Sequence, residues 1–101
     1  MRILLFFDLP TEKAKDRRAY AKFRKSIMND GFIMMQESVY VKLVLNATEV
    51  ETIKKKLNKY KPKKGLIQIL VITEKQFNSI EYLIGEKNNE TLDDTERLVI
   101  L

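Results

Sequence analysis

The chain has 101 residues, 45% of them hydrophobic and 33% charged, with a formal net charge of +5. That is the length of one domain, and the composition is that of a globular chain able to bury a core without covalent staples. It has no cysteine and no histidine, which excludes disulfides, thiolate chemistry, the usual transition-metal ligands and the usual neutral-pH base. Any catalysis is left to carboxylates, hydroxyls, amines or a hard oxygen-bound cation such as magnesium.

The first apolar run, in MRILLFFDLP, is short and ends at an aspartate and a proline. It lacks the length of a signal peptide or a membrane span, so a soluble, cytoplasmic protein with no membrane partner is expected. Residues 2–8 are instead a buried strand, continuously apolar and rich in aromatic and branched side chains. Thr11 then stands as N-cap before a helix predicted over residues 12–29. On that helix Ala19, Tyr20, Phe23 and Ile27 share one face, and Lys15, Arg18, Lys22 and Lys25 lie roughly opposite. Gly31 supplies the left-handed stop.

Residues 32–36 and 38–45 read as two strands with a very tight connection, the second alternating in character along its length. Asn46 turns the chain, and Thr48-Glu49-Val50-Glu51 has the form of a capping box. Val50, Ile53, Leu57 and Tyr60 make the apolar stripe of a second helix. Lys61-Pro62-Lys63-Lys64-Gly65 breaks it, and residues 66–73 are another buried strand. Thr73 and Gln76 form a second capping box for a short helix, followed by Tyr82-Leu83-Ile84. An acidic stretch then leads to a final apolar run, residues 98–101.

Strand, helix, strand, strand, helix, strand is the split βαβ order of an α+β, ferredoxin-like fold with an antiparallel sheet. A short C-terminal helix and extra strands complete the expectation, with residues 1–85 as the domain and 86–101 as an acidic tail. In this fold both helices cover one face of the sheet, yet residues 2–8 and 66–73 are apolar on both sides. Both faces want burial. Stacking against a second copy satisfies the uncovered one, as does a C-terminal segment folded back over its own sheet.

Charge is distributed unevenly. Residues 1–65 carry sixteen Lys and Arg against seven Asp and Glu, whereas residues 66–101 carry three against seven. A net +9 body with a −4 tail points either to a polyanion partner or to a solvated surface that keeps the domain soluble. The first-helix stripe is the sharper signal, and Arg17 and Arg24 on its flanks add guanidinium groups able to grip phosphate through paired hydrogen bonds. The lysines of residues 54–64 form a second basic region suited to backbone attraction without sequence reading. Such attraction does not distinguish DNA from RNA.

Asp8 is the one acid of the first strand. It either caps the Leu9-Pro10 turn or serves as a hard-cation ligand. Magnesium prefers six oxygen ligands, so one carboxylate is a poor site. A two-fold dimer that paired two copies of Asp8 over nucleic-acid phosphates would make a credible centre for metal-assisted phosphodiester cleavage. An RNA-recognition motif shares the element order, but residues 38–45 lack its Gly-aromatic signature.

Several blocks stand in consistent order: Phe7-Asp8-Leu9-Pro10; Arg17-Arg18 through Tyr20, Phe23 and Arg24; Asp30-Gly31-Phe32; Gln36-Glu37-Ser38-Val39-Tyr40; and Thr73-Glu74-Lys75-Gln76. Together they resemble the CRISPR-associated Cas2 family, in the form found with single-protein RNA-guided effectors. The resemblance runs from residue 1 to about residue 85. It implies a homodimer joined through its sheets, with C-terminal strands crossing to the partner. It further implies a role in CRISPR adaptation, the dimer bridging integrase dimers and holding double-stranded DNA to be inserted as a spacer. A magnesium-dependent endonuclease assignment comes with it, resting on Asp8 as catalytic residue and metal ligand. The alternatives are an endoribonuclease working outside adaptation and a regulatory ferredoxin-like module. The apolar end at 98–101 is expected to add as a strand to a sheet edge of the partner protomer or the integrase.

Overall fold

A computed structural model describes residues 1–86. Four antiparallel strands form one sheet in the order β2-β3-β1-β4, with β1 Arg2–Asp8, β2 Ile33–Gln36, β3 Val39–Leu43 and β4 Leu66–Ile72. Helices α1 (Ala14–Asn29) and α2 (Ala47–Tyr60) fill the two crossovers, and a short α3 (Glu74–Asn78) follows β4. This is the expected ferredoxin-like order. The continuously apolar β1 lies where that pattern belongs, in the centre, paired with β3 on one side and β4 on the other.

Alternation along β1 divides its side chains between two clusters. Ile3, Leu5 and Phe7 face the helices and pack with Phe23 and Ile27 of α1, Ile53 and Leu57 of α2, and Tyr40 of β3. Phe7 is the hub: its ring meets Phe23 and Tyr20 edge-on at 5.4 and 5.9 Å and stacks on Tyr40 at 5.5 Å. Leu4 and Phe6 point the other way, where Leu4 packs with Val41 and with Phe77 of α3.

The capping box of Thr73 and Gln76 forms as expected and starts α3. Arg2 fastens this helix to the sheet. Its Nε donates to both Glu74 carboxylate oxygens at 3.1 and 3.0 Å, and its guanidinium lies 4.2 Å over the Phe77 ring. An arginine only 3% exposed demands such pairing, because an uncompensated buried charge is costly. Among the described residues the C-terminal segment therefore folds back over part of its own sheet. Leu66 and Leu70 of β4 stay 54% and 51% exposed.

The helix ends refine the sequence expectations. α1 closes with both Schellman hydrogen bonds, Phe32 N–H to the Ile27 carbonyl and Gly31 N–H to that of Met28, with Gly31 at φ +95°. It does not start at Thr11. Its N-cap is Lys13, without a side-chain cap, because Arg17 Nη1 donates to the Thr11 and Glu12 carbonyls at 3.0 and 2.8 Å and holds those residues in a turn. α2 starts two residues before the box read at Thr48. Asn46 accepts from Glu49 N–H at 2.9 Å while the Glu49 carboxylate accepts from Leu45 N–H at 2.8 Å. β1 has the bounds read for it, the other three strands are one to three residues shorter, and Tyr82, Leu83 and Ile84 belong to no regular element. The acidic stretch beyond 86, the apolar end at 98–101 and any extra strand there lie outside the described residues.

Candidate nucleic-acid interface and the Asp8 turn

Asp8 closes β1 and is exposed. The register sets it opposite Leu66, and alternation puts it on the helix-free face with Leu4 and Phe6. It stands at the uncovered end of that face, away from the Arg2 end where α3 docks. The turn after it is tightly built. Leu9 is buried, and a Cβ at Gly65 would sit 2.6 Å from the Leu9 side chain and 2.9 Å from the Asp8 carbonyl oxygen. Gly65 is at φ +110°, so glycine alone lets the end of the α2–β4 loop close on the Asp8 turn. In the sequence Gly65 marks only a helix break. Its positive φ and its approach to the distant Asp8 turn belong to the tertiary structure.

As a metal site, the described residues of one chain are insufficient. Among the described residues no three His, Cys, Asp or Glu come together, and the nearest β4 neighbours of Asp8 on its face are Leu66 and Gln68. One exposed carboxylate with an apolar neighbour does not make the oxygen cage magnesium wants. A second copy would have to bring its own Asp8.

The six α1 cations Lys15, Arg17, Arg18, Lys22, Arg24 and Lys25 are all exposed, and none pairs with a carboxylate among the described residues. They are not equivalent. Arg17 is tied to the Thr11 and Glu12 carbonyls, and Arg24 Nε donates to the Tyr40 hydroxyl at 2.7 Å. That bond raises the Arg24 pKa further above its ordinary value. Lys15 and Lys22 do not lie opposite the apolar face. They flank it and turn toward a groove between α1 and the end of α2, whose floor includes Tyr20 and Phe23.

Comparison with known proteins gives the constellation its setting. The sequence profile of the family described as CRISPR associated protein Cas2 matches residues 1–80. The chain belongs to the Cas2 family. Over its full length it is 44% identical to the full-length CRISPR-associated endoribonuclease Cas2 of Ligilactobacillus salivarius. It is 48% identical to the protein of that name from Treponema denticola, again across the whole of both chains. The crystal structure of Streptococcus pyogenes Cas2 at pH 6.5 superposes with a TM-score of 0.65 at 24% identity, covering 82% of this chain and 99% of that one. This last likeness speaks for the fold alone. Membership gives the chain a CRISPR-associated role. No helix among the described residues is long and apolar enough to cross a membrane.

Proposed function

We propose that this Cas2-family chain works in CRISPR adaptation as a homodimer that bridges integrase dimers and holds the double-stranded DNA to be inserted. The observation that carries the reading is the set of six exposed α1 cations with no carboxylate partner among the described residues. Exposed cations not neutralised by carboxylates along one helix attract a polyanion and release its counterions, and they do so without reading sequence. The β4 side of the helix-free face, with Leu66 opposite Asp8 and Leu70 opposite Leu4 both more than half exposed, supports a second copy there. Tyr82, Leu83 and Ile84, all exposed, suit a segment that crosses to that copy.

Endonuclease activity is the second reading, favoured by the exposed carboxylate of Asp8 at the open end of the same face and by the endoribonuclease names of the relatives. Magnesium held between two copies of Asp8 would supply charge neutralisation for phosphodiester cleavage. This chain's own contribution is to hold the carboxylate at the strand end on a turn locked by Leu9 and Gly65.

One experiment separates the readings. Replacing Lys15, Arg18, Lys22 and Lys25 by alanine exposes no core. Each phosphate that the variant no longer neutralises should reduce the slope of log affinity for duplex DNA against log salt by about 0.9. Asp8→Asn should leave that slope unchanged and abolish magnesium-dependent cleavage. Spacer acquisition that survives Asp8→Asn and fails in the fourfold variant supports the scaffold; the reverse pattern supports the nuclease. An unchanged slope in the fourfold variant sinks the DNA-holding reading.

A further inference from the structure

A groove of about 450 Å³ runs between the first half of α1 and the segment from the end of α2 through the 61–64 loop. Six lysines line it: Lys15 and Lys22 from α1, and Lys59, Lys61, Lys63 and Lys64 from the opposite wall. Against them stands one carboxylate, Asp16. None of the six makes an ion pair among the described residues, although Lys54 and Lys56 of α2 do, with Glu51 at 3.4 Å and Asp30 at 3.5 Å. Lys61 donates to the Asn58 side chain at 3.2 Å. Like charges converging without partners on a concavity focus a positive potential there, which solubility does not require.

The floor is aromatic, made by Tyr20, Phe23 and Tyr60. These rings are held from behind. Tyr20 abuts Phe7, Phe23 lies 6.0 Å from Tyr60, and the Tyr60 hydroxyl donates to Asp30 at 2.8 Å. Cations on the rim over fixed π-faces are what an unpaired nucleotide requires, since phosphates meet the amines and the base stacks. The volume is that of a small-ligand site. A duplex carries its phosphates on a convex surface with its bases hidden, so it meets the rim without reaching the floor.

We propose that this groove is a nucleotide-binding subsite, taking one or two unpaired nucleotides with the base against Tyr20 and Tyr60 and the phosphates on the lysines of both walls. Leu9 and Pro10, which directly follow Asp8, form one end of it, so an occupant lies beside the Asp8 turn. The proposal deepens the nucleic-acid reading above and rests on it for the source of the ligand, which is a strand end or a free nucleotide.

The test uses the full chain and three probes: a labelled six-residue oligo-dT, dTMP and a blunt duplex. Titration with oligo-dT should shift the ring resonances of Tyr20 and Tyr60 while leaving Tyr40, buried in the core, unmoved. Lys59→Ala, Lys63→Ala and Lys64→Ala together should weaken oligo-dT by roughly tenfold and lower its salt slope by about 0.7 for each phosphate left without a lysine. Blunt duplex, which meets the rim alone, should lose less affinity than oligo-dT and shift neither ring. Comparable ring shifts with dTMP name a free nucleotide as the source; shifts with oligo-dT alone name a strand. Oligo-dT binding that leaves Tyr20 and Tyr60 unshifted, or that the triple variant does not weaken, overturns the subsite even if duplex still binds. Loss of duplex binding with the ring shifts intact would remove the scaffold reading instead.

Discussion

The two faces of the sheet are built from the same kind of residue and end in different states. On the helix side, Ile3, Leu5 and Phe7 meet two long helices, and Phe23, Ile27 and Tyr40 are at most 1% exposed. On the other side, among the described residues, Leu4 and Phe6 meet one short helix, α3, five residues long and pinned by Arg2 and Phe77, with Met35, Ile72 and Ile80 beside it. Past Phe77 the face opens, and β4 shows Leu66 and Leu70. The first face is finished within the chain. Among the described residues the second is covered only around Leu4 and Val41, and both Asp8 and the β4 edge stand outside that cover.

Truncating one aromatic on each face breaks this comparison most directly. Phe23→Ala removes a ring packed against Phe7 and Tyr60 in a site that cannot collapse, and should cost about 3–5 kcal/mol in chemical denaturation. Phe77→Ala should cost about 1–3 kcal/mol, because α3 can lift away and let water in. Amide exchange should then rise in residues 74–78 while β1 and α1 remain protected. Equal costs and global loss of protection in both variants would mean that the faces form one cooperative core.

Leu70→Glu sharpens the comparison from the open end. The side chain is half exposed in one chain, so the variant should lose less than about 1 kcal/mol by itself. If a second copy covers this face, sedimentation at micromolar concentration should show the parent at about twice the 11.9 kDa chain mass and the variant at one chain. A parent already at one chain mass would leave the open end without its proposed occupant.

Much of the fold could be read before it was seen, because local and global signals agreed. The continuous apolar run of β1 predicts a strand buried on both sides, and Gly31 and the Thr73–Gln76 pair predict ends that form as read. The helix starts were harder because the local chemistry is degenerate. Asn46 with Glu49 and Thr48 with Glu51 each place a capping residue three before an acid, and only the Leu45 bond to Glu49 decides between them. Thr11 has the right side chain for a cap, but Arg17 reaches back and holds its carbonyl. For the candidate site, exposure of the α1 cations was legible from periodicity. Their division was not. Lys15 and Lys22 face Lys59 to Lys64 across a long stretch of sequence, a meeting that depends on how α1 packs beside α2.

A finer test concerns the link that sets the two helices of the finished face against one another. Burial, and after it the hydrogen bond to Asp30, push the Tyr60 hydroxyl well above the ordinary tyrosine range. The same carboxylate lies 3.5 Å from Lys56, so Asp30 keeps a partner when the hydroxyl is removed. Tyr60→Phe should therefore cost only about 1 kcal/mol near neutrality, the net value of one such bond. Its pH dependence has a definite sign. In the unfolded chain a tyrosine ionises near pH 10, whereas folded Tyr60 remains protonated. The contribution is complete below about pH 10 and shrinks as pH rises, by up to about 1.4 kcal/mol per pH unit. Parent and Tyr60→Phe stabilities should differ by a constant amount from pH 7 to 9 and converge above pH 10, in urea titrations of both chains. The lysines titrate in the same range but are common to both proteins, so they cancel in the difference. A gap that stays constant to pH 11 would show that Tyr60 is as free to ionise in the folded chain as in the unfolded one, and that neither burial nor the Asp30 bond keeps its hydroxyl protonated.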